Sequence, residues 1–285
     1  MLLSLLVAAT VSVAATTTDL RDLVAAVGGD RIQVESLTDP RADPHAREIH
    51  PRQLARLRTA QALVRIGLDH EPWLARALAG RPAPPHDLDG SRAVALLGTD
   101  TPRLRADDRP HVHAFGNPHY WLDPENARPL TARILDLLVA LAPADRPRFE
   151  ANRARFLAEL DRRLERWHRT LAPHRGARVV VVHDTWPYFA RRFGLTIAAA
   201  VEEKPGMPPS AAYLGLLIER MRTGDVKALL AEPGAPAALV QKIASATRVP
   251  VATLAPSVGA DPEATDYLTL FDVNVARLAR ALGGP

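Results

Sequence analysis

The 285-residue chain has no cysteine. That excludes thiolate metal sites, thiol nucleophiles and disulfides, so any transition-metal site must be built from His, Asp and Glu. An oxidising compartment is compatible with this absence without being required by it. The chain also lacks any run of five or more like charges; its net charge of +4 comes mostly from arginines interleaved with acids. Such a pattern describes a solvated surface and argues against a nucleic-acid partner. After the first nine residues no stretch of about 18 apolar residues occurs, so no membrane span is expected.

Apolar content of 47% and charged content of 24% are those of a soluble globular protein, and the length accommodates two ordinary domains with their own cores. The 25 prolines fall mostly in connections and predict rigid loops rather than disorder. Residues 1–9, Met1-Leu2-Leu3-Ser4-Leu5-Leu6-Val7-Ala8-Ala9, are apolar and end in small side chains. They resemble the tail of a secretory signal peptide without its basic start, the alternative being a buried strand.

Hydrophobic spacing predicts alternating strands and helices. Val11–Ala15 reads as a strand, Thr16-Thr17-Thr18-Asp19 as a helix start before Leu20, Leu23, Val24 and Val27, and Ile32–Leu37 as the next strand. A β-α-β unit of this length implies a parallel sheet. A helix through Leu54 and Leu57, a strand at Ala62–Ile66 and a helix from Glu71-Pro72-Trp73 follow, with one further strand expected at Ala93–Leu97. Glu125–Leu141 and Asp145–His174 read as helices, the second a charged spine of about 45 Å. The pattern then restarts with strands at 177–182, 196–201, 226–231 and 249–254, separated by helices and followed by a last helix from Tyr267. The expected fold is α/β, two Rossmann-like lobes with parallel sheets joined by one long rigid helix. The expected divisions are a signal remnant (1–9), an N-terminal lobe (10–142), a linking helix (143–175) and a C-terminal lobe (176–285).

Histidines stand at informative places in this pattern. His45 follows Asp43-Pro44 just past the second strand, and His183 follows the apolar run at 177–182. Ligands of open α/β sheets bind beyond the carboxyl ends of strands. His119 lies in Gly116-Asn117-Pro118-His119-Tyr120-Trp121-Leu122-Asp123-Pro124, where two prolines stiffen the backbone. Three neutral imidazoles from two lobes suit Zn(II), whereas added carboxylates favour Mn(II) or Fe(II). Asp43, Asp123 and Asp184 are candidates for fixing the imidazole tautomers, or else turn and helix caps. Glu232, at the end of the strand 226–231, is a candidate fourth ligand or partner of a bound water, or a helix-terminal carboxylate. Glu202 is a further outer candidate. His111 and His113 form His-Val-His, a possible outer capture point, while His70, His86, His168 and His174 are expected on the surface and His50 at a helix start.

The segments Asp43-Pro44-His45, Gly116–Pro124, His183-Asp184-Thr185-Trp186-Pro187-Tyr188-Phe189 and Glu202-Glu203-Lys204-Pro205-Gly206 resemble, in order, the signatures of the metal-binding solute-binding proteins of ABC transporters. The resemblance spans Thr16 to Leu282. It implies a metal held in the interlobe cleft by His45, His119 and His183, an extracytoplasmic or periplasmic location, and delivery of Zn(II), or less readily Mn(II), to a membrane ABC permease by a monomeric carrier. Many members carry an aspartate ligand after the strand matching 249–254, where this chain has Ala255-Pro256-Ser257-Val258-Gly259. Two other readings stand beside the carrier. One is a zinc enzyme, in which three histidines and an open position serve metal-assisted hydrolysis or hydration. The other is a surface adhesin on the same scaffold. An enzyme also needs a base and a substrate pocket beside the metal. Glu232 can serve as the base, but no further nucleophile or oxyanion element is evident.

Overall fold

The computed structural model describes residues 10–40, 50–79, 84–98, 116–203 and 207–283. The segments holding His45 and Asp43, His111 and His113, the signal-like residues 1–9 and Lys204-Pro205-Gly206 lie outside the described residues.

Two four-stranded sheets organise the described chain. In the first, β1 (Val11–Ala15), β2 (Ile32–Ser36), β3 (Ala62–Arg65) and β4 (His86–Asp89) pair in the order β2-β1-β3-β4, all parallel. In the second, β5 (Arg178–Val181), β6 (Thr196–Ala200), β7 (Val226–Ala231) and β8 (Val251–Thr253) repeat that order as β6-β5-β7-β8, again parallel. Parallel strands need crossovers, and helices supply them. α1 (Thr18–Gly28) starts where the Thr17 hydroxyl accepts from the Leu20 N–H, and it buries Leu20, Leu23, Val24 and Val27 against the first sheet. α2 (Pro51–Thr59), with His50 at its N-cap, and α3 (Pro72–Leu78) connect the remaining strands of the first lobe.

The bridge between lobes is helical. α4 (Ala127–Leu141) leads through a 3-10 turn into α5 (Arg146–Leu171), whose 26 residues span about 39 Å. α5 buries Phe149, Leu160, Leu164, Trp167 and Leu171 and leaves most of its Arg and Glu side chains to solvent. In the second lobe lie α6 (Pro187–Phe193), α7 (Ala211–Thr223) and α8 (Ala237–Thr247). The last helix, α9 (Tyr267–Ala281), turns back onto α5 and α1. Trp167 of α5 donates its indole N–H to Asp272 of α9 at 2.7 Å. One apolar cluster therefore runs from Val13 and Leu23 through Trp167 to Phe271, so both sheets share a core instead of meeting only through a linker.

The strand expected at Ala93–Leu97 is not where the chain pairs. The edge strand is β4, His86-Asp87-Leu88-Asp89, and residues 90–93 form a 3-10 turn. Only Leu88 of β4 is buried, so apolar spacing had nothing to register. Arg65 on β3 holds the strand instead, reaching Asp87 and Asp89 at 3.0 Å each. The Leu97 N–H is taken by the Tyr188 hydroxyl of the second lobe, at 2.9 Å.

Candidate metal centre

The loops at the carboxyl ends of the two sheets meet through a set of buried hydrogen bonds. Trp121 donates to the Pro256 carbonyl at 2.9 Å, and the Tyr267 hydroxyl donates to the Trp121 carbonyl at 2.7 Å. Asp19, at the first turn of α1, accepts from the Val258 N–H at 3.0 Å. The Ala255–Gly259 loop, which lacks the carboxylate expected from the resemblance, thus serves as a strap between lobes. Asn274 further pins it through paired bonds to the Ala255 N–H and carbonyl, each 2.8 Å.

His119 and His183 sit at this junction, one from each lobe, with ring centroids 5.8 Å apart and planes nearly perpendicular. Two imidazoles on one tetrahedral zinc, with Zn–N bonds of about 2.1 Å, have centroids roughly 5–6 Å apart. The separation fits a shared ion. Local chemistry also fixes which nitrogen each ring presents. The Asn117 carboxamide oxygen accepts both the His119 backbone N–H at 2.9 Å and the His119 ring Nδ1–H at 3.0 Å. The amide orientation is set because its nitrogen donates to the Asp184 carbonyl at 2.9 Å and carboxylate at 3.2 Å. In the second lobe Nδ1 of His183 lies 2.8 Å from Glu202, whose ionised carboxylate can only accept. In their neutral form both rings therefore carry their hydrogen on Nδ1 and their lone pair on Nε2, the arrangement a metal ligand requires. Burial lowers the proton affinity of His183, but the bond to Glu202 and the charges of Glu202, Glu232 and Asp184 outweigh it, and the net shift is upward.

The other expected site residues fall as follows. Asp123 does not back an imidazole. It is fully buried and bonded bidentately to Arg192 of α6 at 2.7 and 2.9 Å, which makes it an ion pair between lobes. Arg191 also reaches it at 3.4 Å, and a further contact, to the Glu125 N–H at 3.1 Å, caps the turn before α4. Asp184 reaches His119 only through Asn117. Glu232 accepts the Trp186 indole N–H at 2.8 Å, and burial raises its proton affinity. His45 and Asp43 belong to 41–49, outside the described residues; Pro40, which precedes them, borders Gly259 of the interlobe strap. Among the described residues, no three His, Asp or Glu side chains converge tightly enough to hold an ion.

Two residues that sequence reasoning did not select stand in this centre. Asn117 does the tautomer-fixing expected of an aspartate; a carboxamide two residues before a histidine can close an Asx turn on it, and that is the signal. His70, expected on the surface, is 1% exposed and packs against His119 and Trp121.

Comparison with known proteins places the chain in a family. The family described as "Zinc-uptake complex component A periplasmic" matches residues 13–281. The high-affinity zinc uptake system protein ZnuA of Yersinia pestis is 27% identical over 270 residues, covering 85% of this chain and 83% of that protein. A crystal structure of ZnuA superposes with a TM-score of 0.81 at 28% identity, covering 95% of this chain and 99% of that one. A zinc-bound ZnuA deletion mutant superposes with a TM-score of 0.78 at 28% identity, covering 96% and 98%. The chain belongs to the zinc-uptake complex component A family of periplasmic metal-binding proteins.

Proposed function

We propose that this protein captures Zn(II) outside the cytoplasm and hands it to a membrane ABC permease, with no catalytic step of its own. The supporting observation is the facing pair His119 and His183, one from each lobe, both with Nδ1 committed to an acceptor. The zinc named for the relatives points to the same cargo. In this reading the metal is substrate, held by His119, His183 and, from sequence, His45. Glu202 and Asn117 orient the two described rings, and Glu232 partners a metal-bound water. An all-imidazole set favours Zn(II) over Mn(II). The family match favours the carrier over the zinc-enzyme reading.

The test is a competition titration against a chromophoric chelator. His119→Ala is expected to lower zinc affinity by orders of magnitude with an unchanged circular dichroism spectrum. Wild-type affinity in that variant would remove His119 from the metal's ligands and the carrier reading with it.

A further inference from the structure

A second imidazole lies as close to His119 as His183 does. The His70 ring centroid is 5.8 Å from that of His119, at an interplanar angle of 84°. These values nearly repeat the 5.8 Å and 83° of the His119–His183 pair. His70 follows β3, so it too stands beyond the carboxyl end of a central parallel strand.

The backbone that places it is unusual. Gly67, Leu68 and Asp69 have successive φ values of 82°, 57° and 56°. For the two residues with side chains this left-handed conformation is strained. Such strain persists only where surrounding contacts over-determine it, and it concentrates at functional sites. The contacts are present. The Glu71 carboxylate accepts from the Ile66 N–H at 2.7 Å, the Gly67 N–H at 3.1 Å and the Thr16 hydroxyl at 2.6 Å. The His70 N–H closes the turn on the Gly67 carbonyl at 3.0 Å. Tyr120, next to His119, donates to the Ile66 carbonyl at 2.9 Å, so the loops carrying His70 and His119 are fastened together.

A tetrahedral zinc takes four ligands. The carrier reading names three imidazoles, and the Ala255–Gly259 strap offers no carboxylate at the place the resemblance indicates. The geometry points to His70 as a further zinc ligand, binding the same ion as His119 from the N-terminal lobe; the three described rings do not converge on one point as they stand, so the ion must draw them together. This inference rests on the carrier reading and deepens it: the site is richer in imidazole than three histidines and a water, which strengthens its preference for a borderline-soft ion over Mn(II). The competing account is a purely structural His70, stacked edge-on against Trp121 at a centroid distance of 5.3 Å.

Zinc-edge X-ray absorption and chelator competition on the intact protein, as wild type, His70→Leu and His70→Gln, separate the two. Leucine preserves the buried volume and the packing on Trp121; glutamine retains a polar side chain. If His70 is a ligand, both variants lose one imidazole's outer-shell scattering. Their zinc affinity also falls by at least the roughly 10- to 100-fold that loss of an outer partner costs. Unchanged imidazole scattering in a folded variant overturns the inference, whatever the affinity. Wild-type protein that binds no zinc defeats the carrier reading itself, a separate outcome. Should both variants fail to fold, wild-type protein loaded with an NMR-active cadmium isotope decides. Metal–nitrogen coupling to His70 supports the assignment, and coupling to His119 and His183 without His70 overturns it.

Discussion

Replacing Glu202 tests how the centre sets its affinity. Glu202 accepts from Nδ1 of His183 at 2.8 Å, with side-chain exposures of 18% for His183 and 20% for Glu202, so the bond is mostly sheltered from water. A hydrogen bond to a charged group contributes about 1.5–3 kcal/mol. That matches the roughly 10- to 100-fold, or about 1.4–2.8 kcal/mol, lost when the outer partner of a metal-bound histidine is removed. Glu202→Gln keeps an acceptor but loses the charge and is expected near the tenfold end at pH 8; Glu202→Ala is expected near the 100-fold end. The pH profile must move as well. Zinc competes with a proton for His183, and Glu202 contributes to holding that proton affinity above its ordinary value. In wild type, zinc affinity therefore begins to fall, on acidification, at a pH above the ordinary histidine value. In Glu202→Gln the fall begins at lower pH, so the variant binds more weakly at pH 8 and loses proportionately less between pH 8 and 6. Chelator competition across that range reads both effects. Wild-type affinity together with a wild-type pH profile in the variant would refute the assignment of Glu202 as the group that orients and charges His183.

Three further outcomes follow from the same contacts. Arg192→Ala removes the bidentate partner of the fully buried Asp123 and leaves it only Arg191 at 3.4 Å; the expected cost is about 2 kcal/mol, lowering the Tm by roughly 4–8 °C, and an unchanged Tm in a thermal melt would contradict an interlobe ion pair. Asp19 is raised by burial from 3.8 to about 7, opposed by its bond from Val258. Between about pH 4 and 7 the folded chain therefore holds a proton that the unfolded chain has released. Stability from this group is greatest at the acid end and declines as pH rises to 7, by a shift of order 4 kcal/mol. Glu71, also raised by burial to about 7, has the same sign. Asp19→Asn should flatten the urea-unfolding pH profile by the Asp19 share alone, and an unaltered slope would exclude it. Trp121→Phe removes the indole N–H that reaches the Pro256 carbonyl at 2.9 Å and should cost about 1 kcal/mol in the same assay; no loss would mean the strap does not depend on that bond.

How much of this was legible in the sequence depends on the physical signal. Strands buried on both faces, such as Val179-Val180-Val181, announce themselves as apolar runs, and α1 and α4 by 3.6-residue spacing. Strand β4 stayed hidden because arginine–aspartate pairs and a neighbouring ladder hold it. The shared core is not legible either. Periodicity describes one element at a time and cannot show that α9 returns to α1 and α5. At the centre, His119 and His183 were readable from proline stiffening and strand-end position. Of the partners of their rings, Glu202 stands among the outer candidates read from sequence, although only the meeting of loops assigns it to His183, while Asn117 is passed over because its signal is a local turn and not a charge. Asp123 was drawn toward His119 by closeness in sequence, yet its charge answers Arg192 from the other lobe. His70 was hidden by the opposite effect. Its neighbours Leu68 and Asp69 look like an ordinary loop, and only their left-handed backbone carries the ring inward.

The most direct test of the account is a crystal structure of the zinc-loaded wild-type protein with anomalous data at the zinc edge. The account predicts a single ion in the crevice between the two sheets, within about 2.1 Å of Nε2 of both His119 and His183. A zinc peak elsewhere, or one touching the histidine of only one lobe, would contradict it.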